Sequence, residues 1–315
     1  MKIGLQPPNS GPSATPALMT ELAELGDALG YHSLQITDHV VIPAQINSRY
    51  PYSPSGVMAA RPDDNYYEPL SLLAYLIGRT RRIRLGTSVL ILPYRNPVVV
   101  AKQLACMDNL SGGRIVLGAG AGWMAEEFSI LGSPPFAERG AVMDEYICVL
   151  RTIWTEQRPQ FAGRYTSFQE MGVNPKPVQS GGIPIVIGGD SRPAIRRAVR
   201  LGDGWQPFKL TPDELAGRLA YLRQQAEQQE RDLSTFTISL RLGLRLTDGA
   251  GQLRPGEEPW KTLVGSADEA IDRLATYRDL GVNEIVFDFR TCSLDEMRDT
   301  IRRCAEHIIP AFASA

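Results

Sequence analysis

The chain has 315 residues, 43% hydrophobic and 22% charged, with 33 basic and 35 acidic side chains and a net charge of −2. That is ordinary for a soluble globular protein, with length for one large α/β domain or two smaller ones. Balanced, interspersed charge argues against a nucleic-acid or anionic-membrane surface, and no apolar run approaches the ~20 residues a membrane helix needs.

Cys106, Cys148, Cys292 and Cys304 are widely spaced, with no C-x-x-C pair. They read as reduced thiols of a cytoplasmic protein, not as disulfides or zinc ligands. The first strand begins at Lys2, so no signal peptide is expected.

Residues 1–6 predict a strand. Thr15-Pro16 opens a helix with a capping hydroxyl and a first-turn proline, Leu18, Leu22, Leu25 and Leu29 line its inner face, and Gly30 ends it. Residues 33–37 predict a second strand with Asp38-His39 at its carboxyl end. Residues 43–69 carry Tyr50, Tyr52, Tyr66 and Tyr67 among the breakers Pro51, Pro54, Gly56 and Pro62. A loop of that length is a lid, a binding loop or disordered. A helix over 70–79 follows, then an apolar strand from Ile83 to Leu92. Asn96-Pro97 opens the next helix and Gly112-Gly113 stops it. Ile115, Val116 and Leu117 form another strand, ending in Gly118, Gly120 and Gly122. Strands apolar on both faces, joined by a helix, imply a parallel sheet covered by helices.

The pattern repeats downstream. A helix over 137–155 and an accessory hairpin over 159–168 precede a strand at 183–187. That strand runs into Gly188-Gly189-Asp190-Ser191 and a helix over 192–201. A short strand at 204–206, a capping box at 211–214 and a strand at 236–246 follow. Residues 247–259 read as a surface insertion, 266–281 as a capped helix, 284–289 as the last strand, and Ser293 as the cap of the final helix. Eight strand–helix units predict an α/β fold, a single (β/α)₈ TIM barrel domain over residues 1–315. A doubly wound open sheet is the alternative, but its dinucleotide fingerprint is missing from the first turn, Gln6-Pro7-Pro8-Asn9.

A barrel's reactive face lies at the carboxyl ends of its strands. That face receives Gln6, Asp38-His39, Thr87-Ser88-Val89, Gly118 to Trp123, Gly188 to Ser191, Gln206, Arg241 and Asp288. Of the three histidines, His39 alone stands there, either as a general acid/base or as a structural residue bonded to a backbone carbonyl. Gly188-Gly189-Asp190-Ser191 before a helix reads as a phosphate cradle, with Arg192 and Arg196 adding charge, or as a glycine turn with a serine cap. Gly118, Gly120 and Gly122 either let a flat group pass close to a strand end or make a tight turn, with Trp123 as core or pocket wall. Glu126 and Glu127 open a short helix at its favourable dipole end. Arg81, Arg82 and Arg84 read as a solvated face at the amino end of the barrel. A metal-dependent hydrolase would need several ligands where only His39 stands, so no metal site is expected.

Several of these motifs, in register along nearly the whole chain, resemble the luciferase-like monooxygenase superfamily. They are Asp38-His39, Gly86-Thr87-Ser88-Val89-Leu90, Leu92-Pro93, Arg95-Asn96-Pro97, Ser111-Gly112-Gly113-Arg114 and Gly118-x-Gly120-x-Gly122-Trp123. Ile187 to Ser191, Gly202-Asp203-Gly204-Trp205 and Val264-Gly265-Ser266 continue the series. The chain is most similar to the branch that uses the deazaflavin coenzyme F420. The resemblance implies a (β/α)₈ barrel holding F420 or reduced FMN (FMNH2) at its carboxyl face, with the cofactor phosphate at Gly188, Gly189, Asp190 and Ser191. It implies a non-prolyl cis peptide at Ser88-Val89 backing the ring, and His39 as the active-site histidine. Several F420 members carry a proton-donating glutamate right after the glycine run, where this chain has Trp123. With F420 the expected reaction is hydride transfer to or from a small organic substrate; with reduced FMN it is oxygenation by O₂, served by a separate flavin reductase. A homodimer is also implied. Substrate choice is expected to lie with residues 43–69 and 247–259.

Overall fold

Helix ends follow the sequence's own punctuation. Thr15 Oγ1 accepts the Leu18 N–H at 3.2 Å, and Asn96 Oδ1 accepts that of Val98 at 2.9 Å. Thr211, Ser266 and Ser293 each form a complete capping box. Left-handed Gly112 (φ 68°) and Gly281 (φ 109°) end two helices where a side chain would be strained.

The computed structural model describes residues 1–53, 55–255, 257–289 and 292–313. Pro54 of the predicted lid and Gly256 of the predicted insertion lie outside the described residues. The first half contains β1 (Lys2–Gln6), α1 (Pro16–Ala28), β2 (Ser33–Ile36), α2 (Pro69–Arg79), β3 (Arg84–Thr87), β4 (Leu90–Ile91), α3 (Pro97–Ser111), β5 (Ile115–Gly120), α4 (Ala125–Ile130) and α5 (Arg139–Thr155). A small hairpin of β6 (Phe161–Ala162) and β7 (Ser167–Phe168) leads to β8 (Ile185–Gly188), α6 (Arg192–Leu201), β9 (Gly204–Gln206), α7 (Pro212–Gln228) and β10 (Thr237–Leu246). The chain then forms β11 (Thr262–Gly265), α8 (Ala267–Leu280), β12 (Glu284–Asp288), α9 (Leu294–Arg303) and α10 (Ile309–Phe312).

Eight parallel strands close into a ring in the order β1-β2-β3-β5-β8-β9-β10-β12, with β12 returning to β1. Closure through β9 and β10 excludes the open doubly wound sheet. Leu5, Leu34, Leu85, Leu117, Ile187, Leu240 and Ile285 from the strands join Leu22, Leu73, Leu104, Leu150, Ile195, Leu219, Leu274 and Ile301 from the helices in one buried core. A polar network crosses the inside of the barrel. Ser88 Oγ donates to Gln206 Oε1 at 2.7 Å, and Gln206 Nε2 donates to Gln35 Oε1 and Ser239 Oγ at 2.8 and 2.9 Å. Among the described residues, no helix is long and apolar enough to cross a membrane.

Three expectations change. The apolar run from Ile83 to Leu92 is not one strand, because the Ser88-Val89 peptide is cis and interrupts it between β3 and β4. The fourth-strand glycines are explained by the same place. A Cβ on Gly118 would stand 1.9 Å from the Thr87 carbonyl oxygen, and one on Gly120 or Gly188 would stand 2.4 Å from a Val89 methyl. Val89 is thus keyed into the barrel wall between two strands that must lack side chains there. Residues 247–259 are more than a surface insertion. Buried Glu257 accepts Arg245 Nε and Nη2 at 2.9 and 2.7 Å, because a buried guanidinium needs a counter-charge. The chain then returns as β11 alongside β10.

The keyed packing predicts that Gly188→Ala destabilises by about 1–3 kcal/mol in urea unfolding. In a Val89→Ala background the same substitution is expected to cost less, since the clashing methyl is gone. Equal costs in both backgrounds would show that Val89 is not the constraint.

Candidate active site at the barrel mouth

Buried His39 sits three residues after β2 and meets Glu127 from the first turn of α4. Glu127 is fully buried and takes four hydrogen bonds. Oε2 accepts His39 Nδ1 at 2.6 Å and the Tyr94 hydroxyl at 2.9 Å, while Oε1 accepts the Val40 and Val41 N–H groups at 2.7 and 3.1 Å. Burial works to raise the Glu127 carboxyl, but the bond from His39, its charge and the two backbone N–H groups outweigh it. The carboxyl is held below the ordinary carboxylate range. Burial, with Glu127 alongside, pushes the Tyr94 phenol well above its usual value, so Tyr94 stays a donor. An ionised carboxylate only accepts, so the His39 proton lies on Nδ1. Nε2 has no hydrogen-bond partner among the described residues and is the nitrogen left to exchange a proton.

Aromatic rings surround this imidazole. Tyr66 and Trp123 approach it edge-on, with centroids 5.3 and 6.0 Å away. Tyr50 packs on Trp123 at 5.0 Å and Tyr52 on Phe208 at 5.4 Å, while the Arg241 guanidinium lies 4.1 Å above the Phe208 ring. Segment 43–69 therefore lays its tyrosines across the mouth. It is held by Glu126 Oε1, which accepts the Asn47 and Ser48 N–H groups, and by the Tyr66 hydroxyl, which donates to Thr37 Oγ1. Burial pushes the Tyr52 phenol up to about 12, with Tyr50 and Asp190 adding and Arg241 opposing.

The barrel floor beneath these rings is polar. Arg241 Nη1 donates to the Ser88 carbonyl at 3.1 Å, and Lys209 and Arg241 both stand near Asp288, at 3.7 and 3.8 Å. Gln6 Oε1 is buried with no hydrogen-bond partner among the described residues. At the neighbouring strand end, Gly189 is left-handed (φ 99°) and its carbonyl accepts Trp205 Nε1 at 2.7 Å. Ser191 Oγ caps α6 through Ala194 N. The N–H groups of Asp190, Ser191 and Arg192 have no partner among the described residues.

The sequence-predicted residues divide accordingly. The structure brings His39 and Trp123 together, ties Ser88 to Gln206 and Arg241, and packs Val89 against Gly120 and Gly188, with Gly188 to Ser191 as the loop at the start of α6. The His39 ring nitrogen bonds a carboxylate, where the structural reading had named a backbone carbonyl. Gly120 and Gly188 make room for Val89, and Gly122 for Phe128 and Ile91, so none of these three close approaches needs a bound ring. Arg192 and Arg196 turn away from the loop to Tyr221, one over its ring and the other donating to its hydroxyl. Asp38 is engaged by a bidentate Arg95. Glu127 and Tyr94 were missed. Their one sequence signal is that Glu127 follows Trp123 by a single helical turn.

The pairing predicts a pH-dependent cost for Glu127→Gln. Because the folded pKa of Glu127 lies below 4.5, its ionised contribution is present above that value and is lost as pH falls through the folded pKa. The variant should lose ~1.5–3 kcal/mol in chemical denaturation at pH 7, the worth of hydrogen bonds to a charged group. The gap should shrink toward pH 4, and a gap independent of pH would contradict the assignment.

Comparisons with known proteins agree with this architecture. A family model described as luciferase-like monooxygenase matches residues 2–255. The F420-dependent glucose-6-phosphate dehydrogenase 2 of Rhodococcus jostii is 28% identical over 315 residues, covering 86% of this chain and 87% of its own. Monooxygenase RslO1 from Streptomyces bottropensis has a TM-score of 0.81 at 22% identity, covering 99% of this chain and 100% of that one. An F420-dependent secondary alcohol dehydrogenase in complex with an F420-acetone adduct has a TM-score of 0.80 at 18% identity, covering 99% of both chains. At these identities the two structural likenesses are likenesses of fold. The family match spans most of the chain, and on that ground the chain belongs to the luciferase-like monooxygenase family and is an oxidoreductase of that class.

Proposed function

We propose that this chain is an F420-dependent oxidoreductase that passes a hydride between the cofactor and a small organic substrate of the alcohol–carbonyl type. The observation that carries the reading is the buried Glu127–His39 pair, which leaves one imidazole nitrogen for proton exchange at the barrel mouth. F420, rather than FMN, is supported by the Rhodococcus likeness, which runs along most of both chains.

The residues present fit a flat ring with a phosphate tail. Buried, unpartnered Gln6 Oε1 would offer the ring an acceptor, and Ser88-Val89 would back it. Trp123 and Tyr50 would wall it. The N–H groups of Asp190, Ser191 and Arg192 at the start of α6 would hold the phosphate. The Asp190 carboxylate opposes an anion there, and Arg218, 3.8 Å away, offsets it.

When bound, the cofactor supplies or accepts the hydride. The chain's own part is the proton. With Nδ1–H fixed on Glu127, His39 Nε2 takes the hydroxyl proton of an alcohol or returns it to a carbonyl oxygen. Glu127 is a positioning residue that stabilises the imidazolium formed. The tyrosines of segment 43–69 and Trp123 keep water from the proton path.

Turnover is read as the change in F420 absorbance across a panel of alcohols and sugar phosphates. His39→Ala should lower turnover by ~10²–10⁴, the usual worth of a proton-transfer group, with F420 affinity little changed. Glu127→Gln should lower it less and shift its pH profile. Parent-level turnover in His39→Ala would sink the assigned role. The family description favours a second reading, oxygenation with reduced FMN supplied by a separate reductase. Oxygen uptake that depends on reduced FMN, with no F420 turnover, would establish it instead.

A further inference from the structure

The opposite end of the barrel holds a second cluster that the reaction above does not use. A cavity of about 190 Å³ opens there, lined by Lys2, His32, Ser33, Gln35, Arg84 and Glu284, among others. Arg84 was expected on a solvated face with Arg81 and Arg82. It is instead half-buried at the start of β3, and its side chain lines the cavity. Three elements thus send a basic group to one small space: Lys2 from β1, Arg84 from β3 and His32 from the turn before β2.

Hydrogen bonding there is incomplete in a specific way. Of the five Arg84 donors, one is used among the described residues, by Gln179 Oε1 at 3.2 Å. The Lys2 ammonium and the His32 ring have no side-chain partner among the described residues, and no carboxylate there lies within ion-pairing distance of Lys2, His32 or Arg84. Gln35 is 6% exposed. Its oxygen accepts Gln206 Nε2, while its amide nitrogen donates to nothing among the described residues. Glu284 is 7% exposed, and Oε1 accepts the Ser33 hydroxyl at 2.6 Å. Its Oε2 accepts nothing among the described residues. The cavity therefore offers several donors, mostly cationic, and one carboxylate oxygen.

We propose that this N-terminal cavity is a binding site for a compact oxyanion that keeps a hydroxyl, of the kind represented by protonated phosphate. The Lys2 ammonium and four of the five Arg84 donors have no carboxylate within ion-pairing distance among the described residues, and such an anion would satisfy them. The Gln35 amide and the Arg84 fork give it directional donors. Glu284 Oε2 accepts the ligand's O–H and repels an oxyanion that has none. Two shifts run the same way. Burial, with Lys2 and Arg84 adding and Glu284 opposing, lowers the His32 pKa. Burial likewise lowers that of Arg84 against Glu284 and Asp108. Both shifts come first from burial, which disfavours the charged form of a base. Binding of the anion should strengthen as pH falls and His32 takes its proton. Glu284 is the acidic group facing His32, and Glu284 and Asp108 are those facing Arg84.

The test is a titration of the full chain at pH 6 with inorganic phosphate, and separately with sulfate at matched ionic strength. Ring resonances of His32, His39 and His307 are followed by NMR. The expected result is a saturable shift confined to His32, a rise in the His32 pKa with phosphate bound, and at least about tenfold weaker binding of sulfate. Arg84→Gln should weaken phosphate binding about tenfold, and Lys2→Gln, at an exposed position that folding does not require, should weaken it in the same direction. Three outcomes would overturn the site: no saturable shift at His32, equal shifts at all three histidines, or sulfate binding as tightly as phosphate. Binding unchanged in both variants would overturn it as well. None of these readouts depends on the cofactor or on chemistry at the mouth.

Discussion

One buried carboxylate organises the mouth of this barrel. Glu127 has no exposure to solvent, so its charge is tolerable only because four donors surround it. Those donors come from two places: the three residues His39, Val40 and Val41 after β2, and Tyr94 after β4. Each of these segments would otherwise be a free loop at a strand end. The ionised carboxylate fixes their backbone, the imidazole plane and the imidazole tautomer together. A catalytic proton needs that kind of fixed geometry, because a base must lie within hydrogen-bond reach of the atom it serves.

The wall opposite is held by steric fit. Val89 turns into the sheet at Gly120 and Gly188, and Gly118 lies against the Thr87 carbonyl. Ser88, on the other side of the same peptide, is tied by its hydroxyl to Gln206 and by its carbonyl to Arg241. Floor and wall are therefore over-determined. The tyrosine segment above them is tied at both ends, by Glu126 and the Ala125 N–H near Ser48 and by Asn9, Thr37 and Arg95 near Tyr66 to Glu68.

Much of the fold was legible because its signals are local. Capping residues, glycine stops and strand-length apolar runs sit within a few residues of what they control, so the alternation and its closure into a barrel could be read directly. His39 was found from its place at a strand end. Glu127 was not, because the feature that gives it meaning lies 88 residues away in the chain. Read locally, two adjacent glutamates at a helix start satisfy the dipole and nothing more. In the fold, Glu126 holds backbone N–H groups of the cover and Glu127 holds the imidazole. Trp123 stands where the resemblance implied a carboxylate, and Glu127, four residues on, bonds His39. The glycine pattern misled for a related reason. Its spacing was plain, but each glycine answers a different neighbour, the Thr87 carbonyl at Gly118, the Val89 side chain at Gly120 and Phe128 with Ile91 at Gly122, and none of these is adjacent in the chain. Arg84 looked solvated beside Arg81 and Arg82 because strand alternation, which sends it inside, matters only once the barrel closes.

The assignment of cofactor is tested most directly by anaerobic titration of the purified chain, side by side, with oxidised and reduced F420 and with oxidised and reduced FMN, followed by absorbance and fluorescence. Saturable binding of F420, with FMN much weaker in both redox states, is the predicted result. Preference for reduced FMN over F420 would contradict hydride transfer as the reaction of this barrel and make it an oxygen-using member of its family.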